Sequence, residues 1–145
     1  MSMLEQKTFL SSIHPFENLT TNQLDFFVEN IDIVYFKENE TVQKEGNNPE
    51  YLFFILKGLV QEKLESEVLS IYSKNEIFDS VSLIENYSKN SFVTAEETIC
   101  YTLPRDIFIK TLHENQVLEK YFFQSISEKL NNNIHHEKNK EMANI

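Results

Sequence analysis

The sequence has no tryptophan, one cysteine, one arginine, two glycines and three prolines in 145 residues. The lone Cys100 excludes an internal disulfide framework and suits a reducing cytoplasm. Two glycines are too few to build a glycine-rich phosphate loop, and no Ser-His-Asp order or paired-acid motif is present, so catalysis is not expected. Cations are short as well. Thirteen Lys and Arg face 23 Asp and Glu, a formal net charge of -10. A field of that sign repels nucleic-acid backbone and argues against a nucleic-acid partner. No apolar run approaches the ~18 residues of a membrane span. The opening "MSMLEQKTFL" lacks the basic segment and long apolar stretch of a secretory signal. A cytoplasmic protein with no membrane partner is therefore expected.

What is present is a globular composition, 41% hydrophobic with 12 Phe and 6 Tyr, in a length that suits one domain with one core. The chain opens with helical spacing. Phe9, Leu10 and Ile13 share a face before His14-Pro15 ends the first helix. Leu24, Phe27, Val28 and Ile31 mark a second helix, for which Thr20 or Thr21 supplies the cap. The period then changes. "DIVYF", "ETVQK", "YLFFIL", "LVQEKL", "VLSIY", "SFVTA" and "TICYTL" are short and rich in β-branched and aromatic residues. The turn-like pieces between them place Gly46 and Gly58 at turns. Some seven strands at this spacing imply an antiparallel barrel or sandwich. Helical spacing returns in "RDIFIKTLHEN" and in "VLEKYFFQSISEKLNNNI". The latter sets Leu118, Phe122, Ile126 and Leu130 on one stripe, with Val117 and Tyr121 beside it. Packing on the body of the fold accounts for Val117 to Phe123. The polar run from Asn131 reads as a solvated helix or a connection, so the expected division is a domain over residues 1–134 and a polar tail or linker over 135–145.

"FKENETVQKEGNNPEYLFFILKGLVQ" (Phe36 to Gln61) and "SFVTAEETICYTLPRDIF" (Ser91 to Phe108) together resemble the cyclic-nucleotide-binding domain, and the likeness runs from about Phe9 to Leu130. Glu45-Gly46 and Leu52 to Val60 follow the family pattern of E-G-[DE] and Y-x-[IVL]-x-x-G-x-[VA], with Asn47 in place of the acidic residue. Asn39 stands where a Gly is usual, a mild change at a positive-φ position. The spacing is most similar to the domains that begin bacterial proteins with paired CBS domains and a nucleotidyltransferase-like region. The resemblance implies a mainly β fold with flanking helices. It would be an eight-stranded antiparallel β-roll, or double-stranded jelly roll, with two N-terminal and two C-terminal helices. The ligand would sit inside the roll on a cassette of the form F-G-E-[LIV]-[AS]-L-[LIM], followed by P-R-[AST]-A. There, backbone N–H groups and an Arg hold the cyclic phosphate and a Glu takes the ribose hydroxyl.

"FDSVSLIENYSKNSF" (Phe78 to Phe92) occupies that place. Phe78 matches the leading aromatic, and Val81, Ser82, Leu83 and Ile84 match the short helix. Asp79 replaces the Gly, Ser80 replaces the Glu, and Lys89-Asn90-Ser91 aligns with R-[AST]-A, so that Lys89 stands for the Arg. Asp79 brings a negative charge and a Cβ toward the anion's position, and Lys89 lacks the planar fork of Arg. Losing the Arg and Glu contacts costs several kcal/mol, at ~1.5–3 kcal/mol for each hydrogen bond to a charged group. Two readings follow for the candidate ligand-binding set Phe78, Asp79, Ser80, Val81, Ser82, Lys89, Asn90 and Ser91. In one, Lys89 anchors a weak or altered nucleotide with Ser80 and Ser82 donating hydroxyls. In the other, Lys89 lies on a solvated loop, the segment plugs the roll, and Asp79 caps the short helix. Arg105 lies after the last strand, in the wrong part of the fold for the phosphate, and nothing in the spacing places Lys74 there.

The remaining candidates are weaker. Adjacent His135 and His136 point about 100° apart on a helix and do not share a metal easily, so no metal site and no cofactor are expected. His14 and His113 read as turn or surface residues, and Cys100 as interior packing or a pocket rim. The expected function is a non-catalytic regulatory or sensor domain. It would transmit the state of its pocket through the C-terminal helices to an output domain beyond Ile145, or to a homodimer partner through the last helix. No helix-turn-helix is apparent, so a complete transcription regulator is not expected. The alternative is a ligand-free interaction or dimerisation domain.

Overall fold

The computed structural model describes residues 2–124. Helix α1 (Met3–Ser11) starts at Ser2, whose hydroxyl accepts from the Glu5 N–H at 3.2 Å. Helix α2 (Thr21–Asn30) starts at Thr20 in a full capping box. The Gln23 N–H donates to Thr20 Oγ1, and Gln23 Oε1 accepts from the Thr20 N–H. Thr20, rather than Thr21, is thus the cap, and a 3₁₀ turn at Phe16–Asn18 joins the two helices.

Eight strands follow. They are β1 (Asp32–Phe36), β2 (Thr41–Gln43), β3 (Tyr51–Lys57), β4 (Val60–Leu64), β5 (Glu67–Tyr72), β6 (Ile77–Phe78), β7 (Ser91–Thr94) and β8 (Thr98–Pro104). They form two four-stranded sheets with orders β1-β8-β3-β6 and β2-β7-β4-β5, and every pairing is antiparallel. This is the expected β-roll with flanking helices. Strand β6 is absent from the periodicity because two residues cannot show a period. Helix α3 (Ser80–Glu85) lies between β6 and β7, and α4 (Arg105–Glu114) follows β8. A last helix, α5, covers 116–124 of the described residues.

The sheet containing β3 and β8 is covered on both faces, which explains the unbroken apolar run "YLFFIL". Leu52, Phe54, Tyr101 and Leu103 face the helices and join Leu10, Phe16, Phe27, Phe108, Leu118 and Phe122 in the larger core. The alternate residues Phe53, Ile55 and Cys100 face the inside of the roll, with Val60, Phe78 and Phe92. Cys100 is therefore interior packing. Asn115, at the α4–α5 junction, ties the C-terminal helices to the N-terminal ones. Its amide donates to Asn18 O at 3.0 Å and Gln23 Oε1 at 2.9 Å, and its Oδ1 accepts from the Leu118 N–H. Leu118 and Phe122 pack on the body, but Val117 and Phe123 are 55% and 48% exposed. Packing accounts for one side of that helix, not for the whole Val117–Phe123 stretch. Ile126, Leu130, His135, His136 and the 135–145 tail lie outside the described residues.

Candidate functional site

Phe78 ends β6, and the chain must turn sharply to start α3. Asp79 makes the turn at φ 63°, ψ 31°, the left-handed region that Gly occupies at no steric cost. It holds the position where a cap would sit, but its side chain makes no capping hydrogen bond to α3, contrary to the capping role expected of it. The carboxylate lies instead beside Ser88, with Ser88 Oγ 3.5 Å from Asp79 Oδ2. Helix α3 begins at Ser80, buries Ser82 and Leu83, and ends at Glu85, followed by Asn86 as a left-handed cap at φ 60°.

The loop after α3 is stitched to the β2–β3 loop. Gly46 N–H donates to Ser88 O at 2.8 Å, Ser88 N–H to Asn47 O at 3.0 Å, and the Asn48 amide to Asn86 O at 2.6 Å. Ser91 Oγ accepts from the Glu45 N–H at 3.0 Å. Ser88 is fully buried, and its hydroxyl donates to Asn90 O at 2.8 Å. These contacts give "EGNN" a local task, because its backbone positions the segment 86–91.

Lys89 points outward. Its side chain is 55% exposed and pairs with Glu85, the last residue of α3, at 3.7 Å. Asn90 points inward, and its amide donates to Glu62 Oε2 at 2.6 Å. Glu62 is 4% exposed and also accepts from the Tyr72 hydroxyl, on Oε1 at 2.8 Å. Burial pushes the Tyr72 phenol well above its ordinary range, and the charges of Glu62 and Asp79 push the same way. Beside this group the rings of Phe53, Phe78 and Phe92 are piled with 5.1 Å between successive centroids. Phe36 and Tyr72 lean on the pile from its sides. Burial raises the Cys100 thiol nearby to about 12, so it stays protonated and unreactive at neutral pH.

The structure thus brings Phe78, Asp79 and Asn90 together around the roll interior and turns Lys89 away from it. Ser80, Val81 and Ser82 lie in α3, and Ser91 is engaged with the β2–β3 loop. The sequence reading passed over Glu62, Tyr72, Phe53 and Phe92. Period-two counting on β4 from buried Val60 turns Glu62 inward, and an acidic residue at that phase is the signal that was there to read. Arg105 also has a clear place. Its Nε donates to Leu83 O at 2.7 Å and Nη2 to Ile84 O at 3.5 Å, so it closes the C-terminal carbonyls of α3 from the first residue of α4.

Three open clefts lie among the described residues. One of about 510 Å³ is bounded by the β2–β3 loop and Phe53. Another of about 310 Å³ lies between Tyr35, Lys37 and Lys57, and a third of about 420 Å³ lies between Asn48, Asn86 and Arg105. None of these three is lined by Asp79, Ser80, Ser82 or Lys89. Among the described residues no group of three or more His, Cys, Asp and Glu is placed to hold a metal ion, and no helix is long and apolar enough to cross a membrane.

Among known proteins, a cGMP-dependent protein kinase of Eimeria tenella is 25% identical over 109 residues, covering 74% of this chain and 11% of the kinase. The cGMP-dependent protein kinase 2 of Mus musculus is 24% identical over 125 residues, covering 81% of this chain and 16% of that protein. The chain thus spans only a small part of the curated relatives it matches. Among solved structures, the sensor domain of the transcriptional regulator DNR from Pseudomonas aeruginosa superposes with a TM-score of 0.76 at 17% identity. It covers 86% of this chain and 92% of that one. The regulatory domain of Toxoplasma gondii PKA with cAMP gives 0.68 at 16% identity, covering 74% and 43%. At these identities the structural likeness establishes the shared roll and its helices. The cyclic nucleotide-binding domain model matches residues 33–115, which is more than half of the chain and runs from β1 to the end of α4. On that match, the chain belongs to the cyclic nucleotide-binding domain family.

Proposed function

We propose that this domain is a non-catalytic regulatory module that does not take cyclic AMP or cyclic GMP in the family's usual manner. It passes the state of its roll through the C-terminal helices to an output domain, of which a CBS or nucleotidyltransferase-like region is the kind its spacing suggests. The observation that carries this reading is the inside of the roll. Glu62, Tyr72 and Asn90 hydrogen-bond to one another next to the Phe53–Phe78–Phe92 pile, while Lys89 pairs with Glu85 at the surface. An entering phosphate would meet the charges of Glu62 and Asp79 with no arginine fork to offset them. The Arg105 bonds to Leu83 and Ile84 support the transmission step, because they join α3 directly to α4.

The test is calorimetric titration with cyclic AMP and cyclic GMP beside a Lys89→Ala control. Silence in both proteins is expected. Micromolar binding that disappears in Lys89→Ala would restore Lys89 as a phosphate anchor and overturn the reading. A second reading, a ligand-free interaction or dimerisation domain, is favoured by Val117, Tyr121 and Phe123, which leave apolar surface exposed on α5. A concentration-dependent dimer in sedimentation, abolished by Val117→Lys, would support it.

A further inference from the structure

Glu62 stands on β4 with its carboxylate inside the roll, and such a group is costly to bury unless donors converge on it. Here they converge from two separate elements. The Tyr72 hydroxyl comes from β5 at 2.8 Å and the Asn90 amide comes from the loop before β7 at 2.6 Å. Directly alongside, Phe53, Phe78 and Phe92 pile face to face. Donors converging on a buried negative group beside stacked rings is the arrangement that receives an aromatic anion. In this chain the anion and the rings are both its own side chains.

We propose that Glu62 is a built-in ligand of the roll. Its carboxylate takes the place of an external anion and holds the 86–91 loop against β4 without any bound nucleotide. This deepens the proposed function and rests on its reading of the 78–91 segment. Two consequences follow. Cutting the Glu62–Asn90 bond frees the loop even though its stitches to Asn47 and Asn48 persist. Removing the Glu62 side chain leaves a small, donor-lined space that a free carboxylate of formate size fits.

The experiment is amide hydrogen exchange of the full chain, read at residues 86–91. Glu62→Ala is expected to speed exchange there by about tenfold or more, the loss of a hydrogen bond to a charged group. Sodium formate is expected to slow it again in Glu62→Ala, and neither to slow it in the parent nor to be replaced by chloride at equal ionic strength. Glu62→Gln is expected to fall between, since its amide oxygen still accepts from one donor. Unchanged exchange at 86–91 in Glu62→Ala and Glu62→Gln, or a formate response shared by the parent or by chloride, overturns the proposal. Should Glu62→Ala not fold, Asn90→Ala breaks the same bond from the other side. Faster exchange at 86–91 then supports the proposal and unchanged exchange overturns it. Cyclic-nucleotide titration of the parent is a separate readout. Heat there sinks the proposed function, while the exchange data decide the role of Glu62.

Discussion

At Gly58 the backbone sits at φ 111°, and an added Cβ would lie 2.4 Å from Thr98 Oγ1 and 2.7 Å from Glu97 O. Gly58→Ala is expected to cost roughly 2–4 kcal/mol, from backbone strain and overpacking together, read as a lower urea midpoint. Gly46 has φ 88° but open space around its Cβ position, so its substitution carries the strain alone. Asp79 poses the same backbone problem with a different residue. Asp79→Gly is expected to leave the turn intact, since Gly occupies the left-handed region without penalty. Urea unfolding should show stability unchanged or slightly raised. Asn39 at φ 61° bears out the reading that Asn there replaces Gly mildly. These residues were legible because positive φ leaves a mark in composition. The inward turn of Asn90 was not, because a polar loop residue gives no sign of which side it faces.

Among the elements, α3 is the one whose role depends on its neighbours. It is six residues long, too short to persist alone, and is held by Leu83 in the core and by Arg105 on its final carbonyls. Arg105→Ala is expected to raise amide exchange across α3 and the 86–91 loop while leaving α1 and α2 unchanged. Arg105→Lys should recover only part of the protection, since a single ammonium cannot reproduce the fork on two carbonyls. Helix α2 depends instead on its own sequence. Thr20→Ala removes the Oγ1 half of the capping box and should cost about 1 kcal/mol in chemical denaturation. The long strands and flanking helices were readable from their periods, whereas β6 was not. It exists only because Phe53 and Phe54 of β3 pair with Phe78 and Ile77.

At the scale of the whole roll, the interior carries the Glu62–Tyr72–Asn90 group and the Phe53–Phe78–Phe92 pile, and two outcomes follow. Reinstating the family residues in the triple variant Asp79→Gly, Ser80→Glu, Lys89→Arg is expected to give no micromolar binding of cyclic AMP by calorimetry. Glu62 would still present its charge inside the roll, beside the phenylalanine pile. Burial inside the roll also sets a limit at high pH. Burial raises the Cys100 thiol to about 12 and pushes the Tyr72 phenol up as well. The folded state therefore holds both protons more tightly than the unfolded chain does. Their stabilisation is complete below the unfolded values of roughly 8.5 and 10, and it is lost as pH rises toward the folded ones. Urea midpoints should fall from about pH 9 upward, and Cys100→Ala should flatten the part of that fall between about pH 9 and 12.

The sequence by itself determined the class of the fold, the flanking helices and most of the strands, along with the residue identities Asp79, Ser80 and Lys89 in the segment between β6 and β7. All of these are written in local terms, as periodicity, capping chemistry and residue identity at a spacing. Only the tertiary structure decided which side chains meet inside the roll. Glu62 and Asn90 are 28 positions apart, and Phe53 and Phe92 are farther still. Glu62 and Asn90 come together because β4 pairs antiparallel between β5 and β7, and Phe78 bridges Phe53 of the other sheet to Phe92, so no short-range pattern encodes which inward side chains come into contact.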